Sequence, residues 1–354
     1  MPLTSSEALR LAQECLPKMR ENKHISEDLK LKSKDLSIRN VCRLWAGMGF
    51  IYEITIKKKG DFHIIVKHIV PPPKQSRSFG DKRKAKSYEI EANFYRNVAP
   101  MLIEEHKLSI PVPYHIENDS DNSITICMSR LDGSPGYLSN DSQIHSVLLW
   151  LATFHAATWG EKADYYVKEK GLQPIGSYWH LDTRPSEHDA MPRGGCWRGR
   201  LKLAARAIDE RLKRDPFQSI IHGDMKEANI MFSKDDVGMA GIYDFQYCGK
   251  APATVDLAYF FCVAVGSADV DSYLEFYHKE LVGRLDTNST HPSLVQLRES
   301  LLIAFCDFQR FMCGWGEWGC DISDHVIEVL DRLDGGSKLP SEDAYREAML
   351  QQFG

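Results

Sequence analysis

The sequence predicts an α+β protein with two unequal lobes, a small strand-rich lobe followed by a larger lobe built mainly of helices. Residues 40–70 alternate in polarity and are rich in Ile and Val, which is typical of strands. From about residue 140 onward, apolar residues recur at helical spacing. A chain of 354 residues is long enough for two lobes, so we place the first over residues 1–128 and the second over residues 129–354.

The first elements follow from local patterns. Thr4 and Glu7 match the S/T-x-x-E pattern of a capping box, which predicts a helix that Pro17 bends or ends. Residues 40–70 predict two or three strands of an antiparallel sheet, with a turn near Gly60.

The remaining elements alternate between loops, helices and short strands. The proline-rich and then basic stretch at residues 71–86 predicts a mobile surface loop. Residues 85–98 and 145–159 have the apolar spacing of helices. Strands or extended segments are predicted over residues 110–118, 123–131, 219–222 and 241–245.

The bulk composition predicts a globular protein of the cytoplasm. Hydrophobic residues make up 43% of the chain and charged residues 26%, and the net charge of −5 gives no overall attraction to nucleic acid. The nine cysteines contain no CxxC pair, so they indicate neither a disulfide framework nor a zinc site, and a reducing compartment fits. We expect no membrane span and no signal peptide, because the apolar runs are too short and the N-terminus lacks a basic start.

The strongest chemical signal is HGDMKEANIMF at residues 222–232, followed by YDFQ, which spaces Asp224, Asn229 and Asp244 along the chain. Phosphoryl transfer needs a carboxylate beside the attacking hydroxyl and hard oxygen ligands for the Mg²⁺ that bridges the phosphates. Asp224 would accept or orient the hydroxyl proton, and Asn229 and Asp244 would bind the metal. Asp and Asn are also common turn residues, but His-Gly-Asp, the interval to the Asn and the strand-like flanks together favour phosphoryl transfer.

The motif HGDxxxxN with a following Asp-Phe resembles that of the aminoglycoside phosphotransferase and choline kinase-like superfamily, and most nearly its ecdysteroid kinase-like branch. GKAPATVDLAYFF at residues 249–261 and LATFHAATW at residues 151–159 resemble further segments of this family. The resemblance covers roughly residues 40–330. It implies a bilobal protein kinase-like fold, ATP and Mg²⁺ as cosubstrates, and a small-molecule hydroxyl as acceptor.

Nucleotide contacts are expected from the first lobe. Lys67, in the apolar stretch IIVKHI, would pair with the phosphates, and Glu91 resembles the family's glutamate that pairs with this lysine. The alternative for Lys67 is an ordinary lysine on an edge strand. Gly47 and Gly49 would bring backbone close to the phosphates, although a GxG pair is often only a hairpin turn.

The adenine is expected to bind backbone near Met128, Ser129 and Leu131. The family commonly has Glu-Asp-Leu where this chain has Ser129-Arg130-Leu131, so the acidic contribution is lost.

Three residues in or after the motif have predicted supporting roles. Lys226 would stabilise the transferred phosphate, as a lysine does at this place in many protein kinases, and the alternative is a solvated loop lysine. We expect His222 to be a buried donor that holds the catalytic loop and Asp256 to fix backbone at a helix start. His155 is assigned no chemistry.

The acceptor is expected to be a small molecule. Only eleven residues separate Asp244 from Asp256 and no APE motif follows, so the long activation segment of a protein kinase is absent from the sequence. We expect the acceptor pocket to form from the C-terminal helices and the loop at residues 176–200.

Residues 304–321, AFCDFQRFMCGWGEWGCD, are the most suggestive part of that pocket. On a helix, Asp307, Phe311 and Trp318 share one face, while Trp315 lies on an apolar stripe. An acid with aromatic rings would hold a cationic or polyhydroxylated acceptor. The alternative is a helix packed on both sides, and three glycines after residue 313 disfavour a continuous helix. The candidate acceptor residues are Asp307, Phe311, Trp315 and Trp318.

The sequence therefore predicts an ATP-dependent kinase that phosphorylates a hydroxyl of a small molecule. A catalytically silent nucleotide-binding or small-molecule-binding protein on the same fold is the alternative, and a protein kinase is less favoured. The acceptor stays open between choline or ethanolamine, a sterol-like alcohol, an aminoglycoside-like sugar and a xenobiotic. The oligomeric state is not set by the sequence.

Overall fold

The protein is described by a computed structural model that covers residues 3–25, 29–58, 60–119, 122–195, 197–234, 239–266, 269–287 and 289–354. Cys196, in the loop expected to contribute to the acceptor pocket, lies outside these residues. The chain divides into two compact units, Met1–Asp132 and Gly133–Gly354. The predicted fold class is confirmed, because the first unit holds an antiparallel sheet and the remainder is mainly helical.

The first unit is built on a five-stranded antiparallel sheet with the strand order β1-β2-β3-β5-β4. Strand β3 lies between β2 and β5, so it is an interior strand of the sheet. The strands are β1 (Leu36–Arg43), β2 (Gly49–Lys57), β3 (Asp61–Ile69), β4 (Pro113–Asn118) and β5 (Ile124–Ser129).

The helices of the first unit are α1 (Ser5–Glu21), α2 (Phe79–Asn97) and α3 (Ala99–Glu104). The capping box of Thr4 and Glu7 is present at the start of α1. Of the two predicted effects of Pro17, the ending of α1 is wrong, because the helix continues to Glu21 with its apolar face buried against the sheet on both sides of the proline. A bend at Pro17 stays a prediction.

The predicted loop over residues 71–86 is wrong in its second half. Helix α2 begins at Phe79, where Ser78 and Asp81 form a reciprocal capping box. The basic residues that suggested a loop form the first turns of this helix. The capping box satisfies amide groups that would otherwise have no partner, so the helix starts earlier than its apolar spacing indicates.

Helices α1 and α2 lie on opposite faces of the sheet. Val66 packs in the core that α1 forms with the sheet, whereas the next residue, Lys67, contacts Glu91 of α2. Because successive side chains of a strand point to opposite faces, the two helices cover different sides.

The second unit is mainly helical. Its helices are α4 (Asp141–Ala157), α5 (Glu161–Lys170), α6 (Pro185–Ala190), α7 (Arg198–Arg214), α8 (Thr254–Phe260), α9 (Val270–Val282), α10 (Leu294–Trp315), α11 (Ser323–Asp334) and α12 (Glu342–Phe353). The short strands are β6 (Gly133–Pro135), β7 (Gln218–Ile221), β8 (Ile230–Ser233), β9 (Ala240–Ile242) and β10 (Gly249–Pro252). Strand β7 pairs with β10, and β8 lies between β6 and β9.

Helix α10 ends where the glycines begin. Its last residue is Trp315, and Gly316 follows with a φ of 138°, in the region that favours glycine. Trp318 therefore lies beyond the helix, and the expectation that it shares a helical face with Asp307 and Phe311 is wrong.

No helix within the described parts of the chain is both long and apolar enough to cross a membrane.

Candidate active site

The segment that carries the predicted catalytic residues is anchored by a buried carboxylate on α8. Strand β7 leads into this segment, and Asp256 accepts hydrogen bonds from the backbone amides of His222 at 2.7 Å and Gly223 at 2.8 Å. His155 Nε2 lies 3.2 Å from the same carboxylate, and the Tyr277 hydroxyl lies 2.7 Å from His155 Nδ1. Asp256 thus fixes the backbone of the catalytic segment, a different function from the predicted one at a helix start.

Gly223 is required by the close packing of this segment. Its φ is +79°, and a Cβ at this position would lie 2.4 Å from the Tyr247 carbonyl oxygen and 2.8 Å from the Ser177 amide nitrogen. Both neighbours are backbone atoms, so a larger residue would displace the chain. The glycine lets the segment turn so that the next side chain, Asp224, leaves the strand direction.

His222 holds the segment from within, as the sequence predicts. Its Nε2 lies 3.0 Å from the carbonyl oxygen of Tyr243, and its Nδ1 accepts from the amide of Asp224 at 3.2 Å. Since both ring nitrogens are engaged, the histidine is a structural connection between two segments.

Asp224 is buried and receives three donors. Its Oδ2 accepts from Lys226 Nζ at 2.9 Å and from Asn229 Nδ2 at 3.2 Å. Its Oδ1 accepts from the Tyr259 hydroxyl at 3.2 Å. Tyr259, which stands in an apolar stretch and was not predicted as a site residue, is therefore one of the groups that contact Asp224.

The electrostatic environment of Asp224 makes it more basic than an exposed aspartate. Burial raises the pKa of its carboxyl, and the charge of nearby Asp244 acts in the same direction. The Lys226 ammonium opposes this effect and lowers the pKa of the same carboxyl. A raised pKa improves a carboxylate as a proton acceptor near neutral pH.

Contacts of Asn229 connect Asp224 with the segment that leads to Asp244. Asn229 Nδ2 donates to the Asp224 carbonyl oxygen at 2.8 Å, and the amide of Tyr243 donates to the Asn229 carbonyl oxygen at 3.2 Å. Asp244 follows Tyr243 with a φ of +69°, and its Oδ1 accepts from the Gln246 side-chain amide. A positive φ is uncommon for a residue other than glycine.

The oxygen atoms of these residues fit a magnesium ion. The side-chain nitrogen Nδ2 of Asn229 donates to Asp224, so the side-chain oxygen Oδ1 is directed to the other side of the amide group. This oxygen and the Asp244 carboxylate are hard ligands of the kind that Mg²⁺ prefers. Within the described residues, no three His, Cys, Asp or Glu side chains form a metal-binding group, so Mg²⁺ would also need ligands from phosphates and water.

Lys67 and Glu91 form an ion pair within the first unit. Lys67 Nζ lies 2.6 Å from Glu91 Oε2, and both side chains are buried. Lys67 stands on the interior strand β3, so it is not the edge-strand lysine that the sequence left as an alternative.

Gly47 lies in the connection from β1 to β2, and Gly49 is the first residue of β2. Gly49 has a φ of +130°, and a Cβ on it would lie 2.0 Å from the His68 carbonyl oxygen. Gly47 has a φ of +68°, and a Cβ there would meet only the flexible side chain of Arg43. The close approach of strand β3 therefore explains Gly49, and contact of either glycine with phosphate stays a prediction.

In the expected adenine-binding segment, Met128 to Leu131, the amide and the hydroxyl of Ser129 already have hydrogen-bond partners in the first unit. The amide of Ser129 donates to the Val112 carbonyl oxygen at 2.9 Å, and the Ser129 hydroxyl accepts from the Val112 amide at 2.8 Å. Met128 is buried within β5, whereas Leu131 lies beyond the strand and is half-buried. Base recognition through the Ser129 amide would require this pairing to break.

The guanidinium of Arg130 is paired with two acidic side chains of the first unit. It binds Glu53 at 2.8 Å and Asp132 at 2.7 Å. This explains how the chain accommodates a basic residue where the family commonly has an acid.

Three of the predicted acceptor residues join the aromatic rings around Tyr259. Trp318 packs edge-on against Tyr259 at 5.9 Å between ring centroids, and Phe311 stacks on Trp315 at 5.7 Å. Tyr178 connects the two pairs, because its ring contacts Phe311 at 5.6 Å and its hydroxyl donates to Tyr259 at 3.2 Å.

Arg184 is a second residue that the sequence analysis missed. Its guanidinium carbon lies 5.1 Å from the ring centroid of Phe311 and 5.2 Å from that of Trp315. It also binds Glu187 at 3.0 Å. The cation site on these two rings is thus occupied by the protein's own arginine.

Asp307 is engaged elsewhere. Its Oδ1 accepts from Arg310 at 2.7 Å and 3.0 Å, and Arg310 also donates to the Trp179 carbonyl oxygen at 2.7 Å. Both side chains are buried. The structure therefore does not bring Asp307 to the aromatic rings as a second charged group, because its charge is neutralised one helical turn away.

Comparison with known proteins agrees with this arrangement. Residues 52–286 match the model of the phosphotransferase enzyme family. No protein among the curated sequences matches the chain.

Two solved structures illustrate the shared fold. The GDP and kanamycin complex of APH(2")-IIia has a TM-score of 0.51 and 15% identity over 89% of this chain and 97% of its own. Ethanolamine kinase from Plasmodium vivax has a TM-score of 0.50 and 13% identity over 90% of this chain and 81% of its own. At such low identity these structures show the fold alone. Because the family model spans well over half of the sequence, the protein belongs to the phosphotransferase enzyme family.

Proposed function

We propose that the protein is an ATP-dependent kinase that transfers the γ-phosphoryl group to a hydroxyl of a small molecule. The observation that carries this proposal is the buried Asp224 carboxylate, held by three donors with Asn229 in direct contact and Asp244 close by. This set supplies the base and the hard oxygen ligands that phosphoryl transfer needs.

The residues of the candidate site have different proposed roles in phosphoryl transfer. Asp224 accepts the proton of the acceptor hydroxyl, and its buried position keeps it basic. Lys226, whose Nζ lies 2.9 Å from that carboxylate, would stabilise the transferred phosphoryl group. In the first unit, Lys67 would neutralise phosphate charge while Glu91 holds it in place. Asn229 and Asp244 would hold Mg²⁺, which supplies neutralisation of the phosphate oxygens when bound.

The segment after the metal aspartate supports a small acceptor over a peptide. Strand β10 and the start of α8 lie in the interval from Asp244 to Asp256, and β10 pairs with β7. This interval is therefore part of the scaffold that holds the catalytic segment and is not a separate platform for a peptide.

Within the family, we propose membership of the ecdysteroid kinase-like or choline kinase-like branch, on the basis of GKAPATVDLAYFF at residues 249–261. We also propose a cytoplasmic setting, in which the eight described cysteines, all free thiols, would stay reduced.

The aromatic rings favour a neutral acceptor over a cationic one. Arg184 already covers the faces of Phe311 and Trp315, so a quaternary ammonium group at these rings would meet a positive charge. Asp307 does not offset this charge, because it is paired with Arg310. We therefore propose an alcohol that packs by apolar contact and ring stacking.

The test is incubation with Mg·ATP and a panel of alcohols, sterols, sugars and amino alcohols, followed by mass spectrometry for the gain of one phosphoryl group. A matched pair decides the charge preference, because choline and 3,3-dimethylbutan-1-ol differ only by a quaternary nitrogen in place of carbon. We expect a higher kcat/KM for the neutral alcohol. Bound nucleotide without phosphorylation of any acceptor and without ATP hydrolysis would contradict the kinase proposal and favour a silent binding protein.

Glu91→Gln is expected to weaken both nucleotide binding and the first unit. Loss of one partner from a buried ion pair costs about 2–5 kcal/mol, because the remaining charge is left without compensation. We expect a lower free energy of unfolding in chemical denaturation and a higher KM for ATP.

Glu89→Gln is the matched control for this variant. Glu89 lies on the same helix but is exposed and pairs with Lys86 at 3.1 Å on the surface, where such pairs contribute little. Equal effects of the two substitutions would show that the buried pair has no special importance.

A further inference from the structure

The carboxylate of Asp224 has one position left for an acceptor hydroxyl. A carboxylate offers about four lone-pair positions, two on each oxygen. Of the donors within the described residues, Lys226 and Asn229 use the two positions of Oδ2, and Tyr259 uses one position of Oδ1. The open position is therefore on Oδ1, the oxygen that Tyr259 holds.

Tyr259 is rigidly placed to hold this oxygen. Its ring is 1% exposed and packs against Trp179 at 4.8 Å and Phe308 at 5.1 Å. It lies three residues after Asp256 on α8, so both side chains point from one face of the helix toward the catalytic segment. Asp256 fixes the backbone of that segment, and Tyr259 fixes the carboxylate.

The ionised Asp224 carboxylate can only accept, so Tyr259 is the donor of their hydrogen bond. The Tyr259 oxygen in turn accepts the hydroxyl proton of Tyr178 at 3.2 Å. Burial raises the pKa of Tyr259 far above its usual value, and the adjacent Asp224 charge adds to this effect. Tyr259 therefore stays protonated and donates, and it does not itself take the proton of the acceptor.

We propose that Tyr259 is a positioning residue for phosphoryl transfer, which orients Asp224 so that its Oδ1 receives the proton of the acceptor hydroxyl. This inference rests on the proposed kinase function. In the step, the acceptor O–H bond breaks and the proton bonds to Oδ1. The acceptor oxygen bonds to the γ-phosphorus, and the bond from that phosphorus to the bridging oxygen breaks with its electron pair leaving on ADP.

The ring and the hydroxyl of Tyr259 have separable tasks. Its packing against Trp179, Phe308 and Trp318 involves the ring, which phenylalanine retains. The hydroxyl contacts Asp224 and Tyr178. Tyr259→Phe thus removes the proposed positioning contact with little change in the packing.

The experiment measures hydrolysis of Mg·ATP labelled at the γ-phosphorus, with water as the acceptor, for wild type, Tyr259→Phe, Asp224→Asn and the double variant. We expect Tyr259→Phe to lower kcat by about 10- to 100-fold, the range of a hydrogen bond to a charged group, with the KM for ATP unchanged. We expect the double variant to be no slower than Asp224→Asn alone, because Tyr259 acts through that carboxylate.

Tyr273→Phe is the matched control. Tyr273 is also a buried tyrosine whose hydroxyl donates to an aspartate, Asp141, at 2.7 Å. It should leave kcat within about 2-fold of wild type, as expected for a change away from the reacting groups.

The outcomes separate the two proposals. If the wild-type protein neither hydrolyses Mg·ATP nor phosphorylates any acceptor, the kinase proposal fails. If Asp224→Asn hydrolyses ATP at the wild-type rate, Asp224 is removed from the mechanism and the positioning role of Tyr259 is overturned with it. If Asp224→Asn is slow but Tyr259→Phe is not, or if their effects multiply in the double variant, the mechanism stands and the positioning role is overturned. If Tyr259→Phe does not fold, 3,5-difluorotyrosine at this position keeps the hydroxyl and changes its acidity. A rate that then differs from wild type supports the role, and an identical rate overturns it.

Discussion

Asp224→Asn is expected to lower turnover by about 10²- to 10⁴-fold, the usual contribution of a positioned general base. Asparagine has nearly the same shape, but it carries no charge and cannot take the acceptor proton. Its amide nitrogen would also face one of the three donors that now surround the carboxylate. The measurement is the rate of phosphoryl transfer to the best acceptor of the panel, or of ATP hydrolysis.

The fold should survive this substitution. The backbone of the catalytic segment is held by two hydrogen bonds to Asp256 and one to His222, and none of the three depends on the charge of Asp224. Asp141→Asn is a suitable control, because Asp141 also accepts from a tyrosine hydroxyl but lies outside the candidate site. Full turnover of Asp224→Asn would remove this residue from the mechanism.

Asp256→Asn is expected to be the most damaging substitution for stability, at about 3–5 kcal/mol of unfolding free energy. The fully buried carboxylate accepts from two backbone amides and faces His155 Nε2. Asparagine provides one oxygen in place of two, and its NH₂ group would face a backbone donor, so at least one buried group loses its partner. Chemical denaturation measures the loss, and turnover should fall with it because the segment bearing Asp224 is released.

Asp271→Asn provides the comparison for this variant. Asp271 is exposed near the start of α9 and pairs with Arg298 at 3.0 Å, a surface contact worth about 0–1 kcal/mol. An Asp256→Asn protein as stable as the Asp271→Asn protein would contradict the anchoring role of Asp256.

The sequence was sufficient for the parts of the site that are encoded locally. Asp224 and Asn229 are five positions apart, and the turn between them brings their side chains into contact, so a short motif predicts their meeting. The pairing of Lys67 with Glu91 was anticipated only through the resemblance, since the two residues stand on different elements.

Residues that reach the site through tertiary packing were not predictable in this way. Tyr259 stands in an apolar run, and only the position of α8 shows that its hydroxyl meets a carboxylate. Arg184 likewise lies on a segment without a motif. The helical face that Asp307 shares with Phe311 suggests an acid beside the rings. Arg310, three residues further along the same helix, neutralises this acid instead.

Helical ends show the same limit. Apolar spacing detected α2 but placed its start too late, because basic composition concealed the capping box at Ser78. Pro17 was given too much weight, because the loss of one hydrogen bond is smaller than the gain from burying the face of α1.

Helix α8 holds both the backbone of the catalytic segment, through Asp256, and the carboxylate of Asp224, through Tyr259. This shared support has a consequence for the motion of the site. Thermal displacement of the helix moves the support of the peptide backbone and the support of the carboxylate together. The position of the Asp224 carboxylate relative to its own backbone therefore varies less than it would if Asp256 and Tyr259 moved independently. A ligand or substitution that shifts α8 should therefore change the orientation of the Asp224 carboxylate relative to its substrate. It should change the position of that carboxylate relative to its own backbone to a smaller extent.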